Sequence, residues 1–237
     1  MTEFTLYIGN KNYSSWSLRG WLPLMLSGAS FSEVKLPLDT PAFYTALAGI
    51  SPTVCVPTLV HHCVDGDITI WDSLAITDYL ARRYPVANLW PDTDAAYAFA
   101  RSVTAEMHAG FMALRAAAPM NMRAAFHGLG LSDAVAKDVQ RIEAIWDEAR
   151  TRFGGGGPFL FGSEMNAVDA FFAPVVSRFK TYDVALSDGG RAYCAAVIDH
   201  PAMQAWHREA VLETARVAAD EIDPATKILG LSGASGQ

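Results

Sequence analysis

Three serines lie where the first predicted strand of this chain gives way to its first predicted helix. The strand spans residues 4–8, where apolar and polar residues alternate, and Ser14, Ser15 and Ser17 follow it. The first turn of a helix has unpaired N–H groups and a partial positive charge, so a hydroxyl there helps to bind an anion. Serine is also a preferred helix-capping residue, and the sequence leaves both roles open. The helix, predicted over about 15–27, has one apolar face: Leu18, Trp21, Leu22 and Met25.

Two residues predict the shape of this first helix. Pro23 lies inside it and removes the bond back to the carbonyl of Arg19, which predicts a kink or an early end. Gly28 is typical of a helix C-terminus.

Two further residue pairs begin regular elements. Pro57 lies at the start of a strand, because proline cannot supply a ladder N–H in a central strand. A cis Val56-Pro57 bond would present the Val56 N–H and C=O to a ligand, whereas base rates favour a trans bond, and the sequence leaves both open. Asp72-Ser73 starts a helix. The sequence leaves two roles open for the pair: a helix cap, or a site where Ser73 binds a carboxylate and Asp72 binds an ammonium. A ligand carrying both groups on one carbon is an amino acid.

Composition excludes several classes of protein. The 237 residues carry a net charge of −7 and are 51% hydrophobic, which indicates a globular chain and disfavours nucleic acid as a partner. No apolar run is long enough to cross a membrane, and the sequence shows no signal peptide. Three cysteines without metal-site spacing indicate reduced thiols in a cytoplasmic protein. His61 and Cys63 alone do not make a metal site, so we expect no metal.

The character of the chain changes near residue 85. Residues 1–84 are predicted as a mixed α/β domain, 85–94 as a linker, 95–222 as an all-helical domain and 223–237 as a flexible tail. Helical spacing in the second domain predicts five segments: 95–118, 132–153, 167–180, 189–199 and 201–219. Asn166 and Asp169 predict a capping box with a structural role.

Together these motifs resemble the cytosolic glutathione S-transferase family over roughly residues 4–220. The segment 14–19 is similar to the Ser-Ser-Cys-Ser-x-Arg motif of the zeta class, with Trp16 in the place of Cys. The segments 56–59 and 72–76 look like the family's cis-proline and (Glu/Asp)-Ser-x-Ala-Ile segments. The resemblance implies a thioredoxin-like N-terminal domain followed by an all-helical C-terminal domain.

The resemblance also implies the ligand and the reaction. Glutathione would bind with its α-carboxylate at Ser73, its α-ammonium at Asp72, its cysteinyl backbone along Val56 and its sulfur near Ser14. Ser14 would be the catalytic residue, donating to the thiolate that attacks a small electrophile. The enzyme would be a cytoplasmic, homodimeric transferase of detoxification. The implied glutathione-binding residues are Ser14, Trp16, Val56, Pro57, Asp72 and Ser73.

The family often has Gly and a polar or basic residue just before Val-Pro. Here Val54 and Cys55 stand in those places, so the resemblance leaves open how the glycyl carboxylate is held.

The acceptor pocket is expected along the first long helix of the second domain. Arg115 and Arg178 are candidates for holding an anionic group, or are surface or ion-pair residues, and the Met and Phe residues could equally be core. The expected pocket residues are Met107, His108, Phe111, Met112 and Arg115.

Two alternative functions stay open. A cis–trans isomerase of the maleylacetoacetate type would use glutathione as a cofactor, and an arginine-rich pocket, not evident in the sequence, would favour it. A non-catalytic glutathione- or ligand-binding protein would not activate the thiol.

Overall fold

A computed structural model describes residues 2–223 and 225–230 of the chain. The first half contains a four-stranded sheet and three helices, as predicted from the α/β pattern. The strands are β1 (Phe4–Ile8), β2 (Phe31–Lys35), β3 (Thr58–His61) and β4 (Ile68–Ile70). The helices are α1 (Ser15–Ser27), α2 (Pro41–Leu47) and α3 (Ser73–Arg83).

The sheet has the strand order β2-β1-β3-β4. β1 pairs with β2 in parallel, and β3 is antiparallel to both β1 and β4. Every second residue of β1 is fully buried, beginning at Phe4, so the predicted alternation directs that side of the strand into the core. This mixed sheet, with helices packed on it and a helical half behind it, is the thioredoxin-like plus helical architecture.

Helix α1 continues through Pro23 to Ser27, so the predicted early end is wrong. Gly28 follows in the left-handed conformation and donates to the carbonyl of Met25, as its position predicts. The helix packs closely on the start of β3: a Cβ placed at Gly20 would lie 2.8 Å from the Pro57 ring.

The second half is mainly helical. Its helices are α4 (Asp94–Ala109), α5 (Met112–Ala117), α6 (Asp133–Phe153), α7 (Ala167–Thr181), α8 (Asp188–Asp199) and α9 (Pro201–Ala210). Asn166 and Asp169 form the predicted capping box at the start of α7. No helix among the described residues is both long and apolar enough to cross a membrane.

The single helix predicted over 95–118 is wrong, because the chain breaks between α4 and α5. Phe111 is left-handed at φ 59°, and Gly110 ends α4 by donating to the carbonyl of Glu106. A side chain at Gly110 would lie 2.7 Å from that carbonyl oxygen. Arg115 donates from Nε to the Gly110 carbonyl at 2.8 Å and so holds the break in place.

The prediction that the last helix reaches residue 219 is also wrong, because α9 ends at Ala210. After α9 the chain contacts the first half of the protein through Glu213. Its carboxylate accepts from the backbone N–H groups of Lys11 at 2.9 Å and Asn12 at 3.2 Å, and lies 3.1 Å from Lys35 Nζ.

The predicted tail contains a short strand. Ile228–Leu229 forms β6, which pairs in parallel with β5 (Gly130–Leu131). Residues 224 and 231–237 of that tail lie outside the described residues.

Replacing Glu213 by alanine is expected to lower the free energy of unfolding by about 2 kcal/mol, because two buried N–H groups lose their acceptor. The loss is measured by urea denaturation. Glu209→Ala is the matched control, since the Glu209 side chain is 57% exposed and its ion pair with Lys11 contributes less. Equal losses in the two variants would contradict the assigned role of Glu213.

Candidate functional site

A cleft of about 1160 Å³ opens where the two halves meet. Met107 and Phe111 do not line it: they are 1% and 8% exposed and belong to the hydrophobic core. Met107 lies on the buried face of α4, and Phe111 lies at the break between α4 and α5, which the spacing of a single predicted helix does not show. The nine other residues predicted to bind glutathione or to form the acceptor pocket line the cleft: Ser14, Trp16, Val56, Pro57, Asp72, Ser73, His108, Met112 and Arg115.

Ser14 caps helix α1 at the wall of the cleft. Its Oγ accepts from the Ser17 N–H at 3.2 Å and donates to Ser17 Oγ at 2.7 Å. Ser17 Oγ also accepts from the N–H of Gly9 at 2.9 Å, which ties the helix start to the end of β1. The capping role and the position beside a cavity therefore occur together, with the positive end of α1 directed at the cleft.

Tyr13 also lines the cleft, but its hydroxyl is engaged elsewhere. It donates to Glu221 Oε1 at 2.5 Å and accepts from Arg123 Nη2 at 2.7 Å. Burial, followed by the bond to Glu221, raises the pKa of the Tyr13 hydroxyl. Because these contacts engage the Tyr13 hydroxyl, the serines at the start of α1 are the hydroxyl donors on this side of the cleft.

The Val56–Pro57 peptide bond is cis, the conformation that the sequence left open. β3 begins one residue later at Thr58, whose hydroxyl donates to the Cys55 carbonyl at 2.8 Å. Within the described part of the chain, no backbone hydrogen bond engages the Val56 N–H or C=O. These two groups lie at the cleft and are placed to pair with an extended ligand backbone.

Asp72 caps helix α3, with Oδ1 accepting from the Leu74 N–H at 3.0 Å. Its other oxygen, Oδ2, lies 3.0 Å from Nε2 of His108, which belongs to the helical half. Ser73 is fully buried, and within the described residues its hydroxyl has no partner. An unpaired hydroxyl at the N-terminus of a helix, beside a carboxylate, suits a ligand that carries both an anion and a cation.

The indole of Trp16 contacts two guanidinium groups. The Arg19 and Arg115 Cζ atoms lie 4.9 and 5.0 Å from its ring centroid. The ring also meets the edge of His108 at 5.2 Å between centroids. Trp16 thus joins the first half of the protein to α4 and α5 at the cleft.

Arginines from three helices converge behind and along this wall: Arg19 of α1, Arg115 of α5 and Arg178 of α7. Burial, and then the like charges of the other two, lowers the pKa of Arg19 well below its ordinary value. Burial, and then the charge of Arg115, lowers the pKa of Arg178 to about 10. Arg115 and Arg178 line the cleft, a feature that was not evident in the sequence because arginines distant along the chain meet only in the fold.

Ser15, one of the three serines noted in the sequence, lines the cleft, and its Oγ accepts from the buried Arg178 Nη2 at 3.3 Å. The sequence analysis missed Asp220, which lines the cleft and whose pKa is raised by burial. No group of residues that could hold a metal ion is found in the described ranges.

Two family descriptions match the chain. "Glutathione S-transferase, N-terminal domain" matches residues 13–83, and "Glutathione S-transferase, C-terminal domain" matches residues 132–209. The chain therefore belongs to the glutathione S-transferase family.

Solved structures of this fold are similar at low identity. A glutathione transferase homologue from Burkholderia GL BGR1, with bound glutathione, is 21% identical, with a TM-score of 0.65 over 87% of this chain and 97% of that chain. Maleylacetoacetate isomerase from Anaeromyxobacter dehalogenans 2CP-1, with bound glutathione, is 18% identical, with a TM-score of 0.63 over 87% and 95%. A Tau class glutathione S-transferase from mango, Mangifera indica, is 18% identical, with a TM-score of 0.66 over 88% and 96%. At these identities the likeness supports the fold alone.

Proposed function

We propose that this protein binds glutathione in the cleft and activates its thiol for attack on a small electrophile. The observation that carries the proposal is the convergence of three elements on one cleft: the capped start of α1, the Val56 peptide and the Asp72-Ser73 start of α3. Family membership and the glutathione-bound neighbours support the choice of ligand.

Each part of glutathione has a matching group. The α-ammonium meets Asp72, which His108 orients, and the α-carboxylate meets the unpaired Ser73 hydroxyl and the N-terminus of α3. The cysteinyl amide pairs with the Val56 backbone. The sulfur then lies at the start of α1, beside Ser14.

The thiol loses its proton to solvent, and three features stabilise the thiolate that remains. The N-terminus of α1 and the nearby arginines supply positive potential. Ser14 supplies a hydrogen bond: when the Ser17 hydroxyl donates to Ser14 Oγ, reversing the bond now present, the Ser14 hydrogen is released toward sulfur. The thiolate forms its carbon–sulfur bond with the electrophile, whose leaving group departs.

Glutathione-dependent cis–trans isomerisation is the second candidate, and the arginines at the cleft favour it. There the thiolate adds to a conjugated double bond, the bond rotates and the thiolate leaves, so glutathione is regenerated. Measuring the free thiol during turnover separates the two: a transferase consumes one glutathione per product, and an isomerase consumes none. A carrier protein would bind glutathione without either reaction.

The glutathione site is tested by calorimetry with two ligands, glutathione and its analogue in which a glutaryl group replaces γ-glutamyl and removes the ammonium. The wild-type protein is expected to bind glutathione about tenfold more tightly than the analogue, because a charge-assisted contact to Asp72 is lost. In Asp72→Ala the two ligands should bind alike. A tenfold preference that survives in Asp72→Ala would place the ammonium elsewhere, and no binding of glutathione would overturn the proposed function.

A further inference from the structure

The arginine cluster at the cleft is incompletely neutralised. Arg19 is fully buried, with Nε donating to the Phe171 carbonyl at 3.0 Å, and its Nη1 and Nη2 have no partner within the described residues. Arg115 and Arg178 donate to backbone carbonyls, and Arg178 also to the Ser15 hydroxyl. No ion pair to any of the three is found across residues 2–223 and 225–230.

The nearest acidic groups offset the cluster only in part. Asp138 acts on Arg115, but one of its carboxylate oxygens accepts from the Leu114 N–H at 2.9 Å. Asp220 acts on Arg178 and lines the cleft, with a pKa raised by its own burial. Three guanidinium groups thus face two carboxyl groups, neither of them directly paired with an arginine.

Resting on the proposed function, we propose that the acceptor part of the cleft binds electrophiles that carry a carboxylate, held by Arg115 and Arg178. Both arginines line the cleft, while Arg19 lies behind Trp16 and adds positive potential.

The surrounding side chains define the rest of such a substrate. Met112, Met120 and Trp16 line the cleft with the two arginines, and the Trp16 ring centroid lies 5.0 Å from Arg115 Cζ, so the body of the substrate is apolar or aromatic. A guanidinium presents parallel N–H groups that match the two oxygens of a carboxylate. The substrate class is therefore a small apolar carboxylate with an electrophilic carbon.

The carboxylate site is tested without any reaction by calorimetry with a matched pair of probes, dinitrobenzoate and dinitrobenzamide with the same nitro positions. The wild-type protein is expected to bind the benzoate about tenfold more tightly, since one charge-assisted contact contributes about that factor. In Arg115→Gln the preference should fall to about twofold. Arg208→Gln removes the same charge from an exposed position of α9 and should retain the full preference.

Arg115→Lys keeps the charge but not the paired N–H groups and should show an intermediate preference, which guards against misfolding of the glutamine variant. Equal binding of the two probes by the wild-type protein, or no binding of either, would overturn the carboxylate site. So would a preference that Arg115→Gln leaves intact.

A second readout separates this proposal from the proposed function. Chlorinated versions of the two probes react with glutathione by forming a carbon–sulfur bond and releasing chloride. Turnover of the neutral amide reports the transferase reaction, and the KM ratio of the two substrates reports the carboxylate site. Turnover with equal KM values would leave the transferase standing and overturn the site. A benzoate preference in calorimetry without turnover of either compound would support the carboxylate site and overturn the transferase reaction.

Discussion

Replacing Ser14 by alanine is expected to lower the turnover of glutathione with an electrophile about 100-fold, the usual cost of losing one hydrogen-bond donor to a developing or stabilised anion. Glutathione binding should change little, because in the proposed binding mode Asp72, Ser73 and Val56 hold the rest of the molecule. The measurement is steady-state kinetics with a neutral chlorodinitrobenzene, with glutathione affinity from calorimetry.

The control variants separate chemistry from helix capping. Ser14 caps α1, so its loss also lowers stability by about 1 kcal/mol. Ser14→Asp keeps an acceptor for the Ser17 N–H but has no donor when ionised, and it should be at least as inactive as Ser14→Ala. Ser14→Thr should retain activity. Ser15→Ala should lower turnover only a few-fold. A larger loss of turnover in Ser15→Ala than in Ser14→Ala would indicate that Ser15 contacts the thiolate.

The second large effect is expected at Asp169, where alanine should lower the free energy of unfolding by about 3 kcal/mol. The fully buried carboxylate accepts from the N–H groups of Leu160 at 3.1 Å and Asn166 at 3.0 Å, and from the Tyr193 hydroxyl at 3.0 Å. Alanine leaves all three donors buried without an acceptor. Urea denaturation measures the loss, and Tyr193→Phe, which removes one donor together with its need for a partner, should cost about 1 kcal/mol.

Asp169 also gives stability a defined pH dependence. Burial, opposed by its hydrogen bonds, raises the pKa of this carboxyl from its ordinary value of 3.8 to about 6. The native state therefore holds a proton that the unfolded state releases, and this contribution to stability is present below about pH 4 and lost as the pH rises through about 6. Asp169→Asn should lack that slope. A wild-type profile equally steep in the asparagine variant would assign the slope to another group.

The parts of the site that the sequence predicted are local. Ser14, the Val56-Pro57 pair and the Asp72-Ser73 pair each begin an element, so a few neighbouring residues are enough to indicate their place. The capping box at Asn166 and Asp169 is local in the same way and is confirmed. The α/β half followed by a helical half also followed from periodicity, which each segment shows by itself.

The parts that the sequence did not predict depend on tertiary contacts. Arg19, Arg115 and Arg178 lie on three helices far apart in the chain, and no spacing rule brings them together. The break after Ala109 depends on Arg115 bonding back to Gly110, and it turns Phe111 into the core. The helix predicted beyond α9 does not form, because Glu213 accepts hydrogen bonds from backbone N–H groups of the first half.

The proposed function depends most on stabilisation of the bound glutathione thiolate by the start of α1. It is tested most directly by titrating the ultraviolet absorbance of the thiolate against pH, with glutathione bound to the wild-type protein and to Ser14→Ala. We expect a thiol pKa at least about one unit below that of free glutathione in the wild-type protein, and a partial return toward the free value in the variant. Bound glutathione that titrates like free glutathione in the wild-type protein would contradict the account.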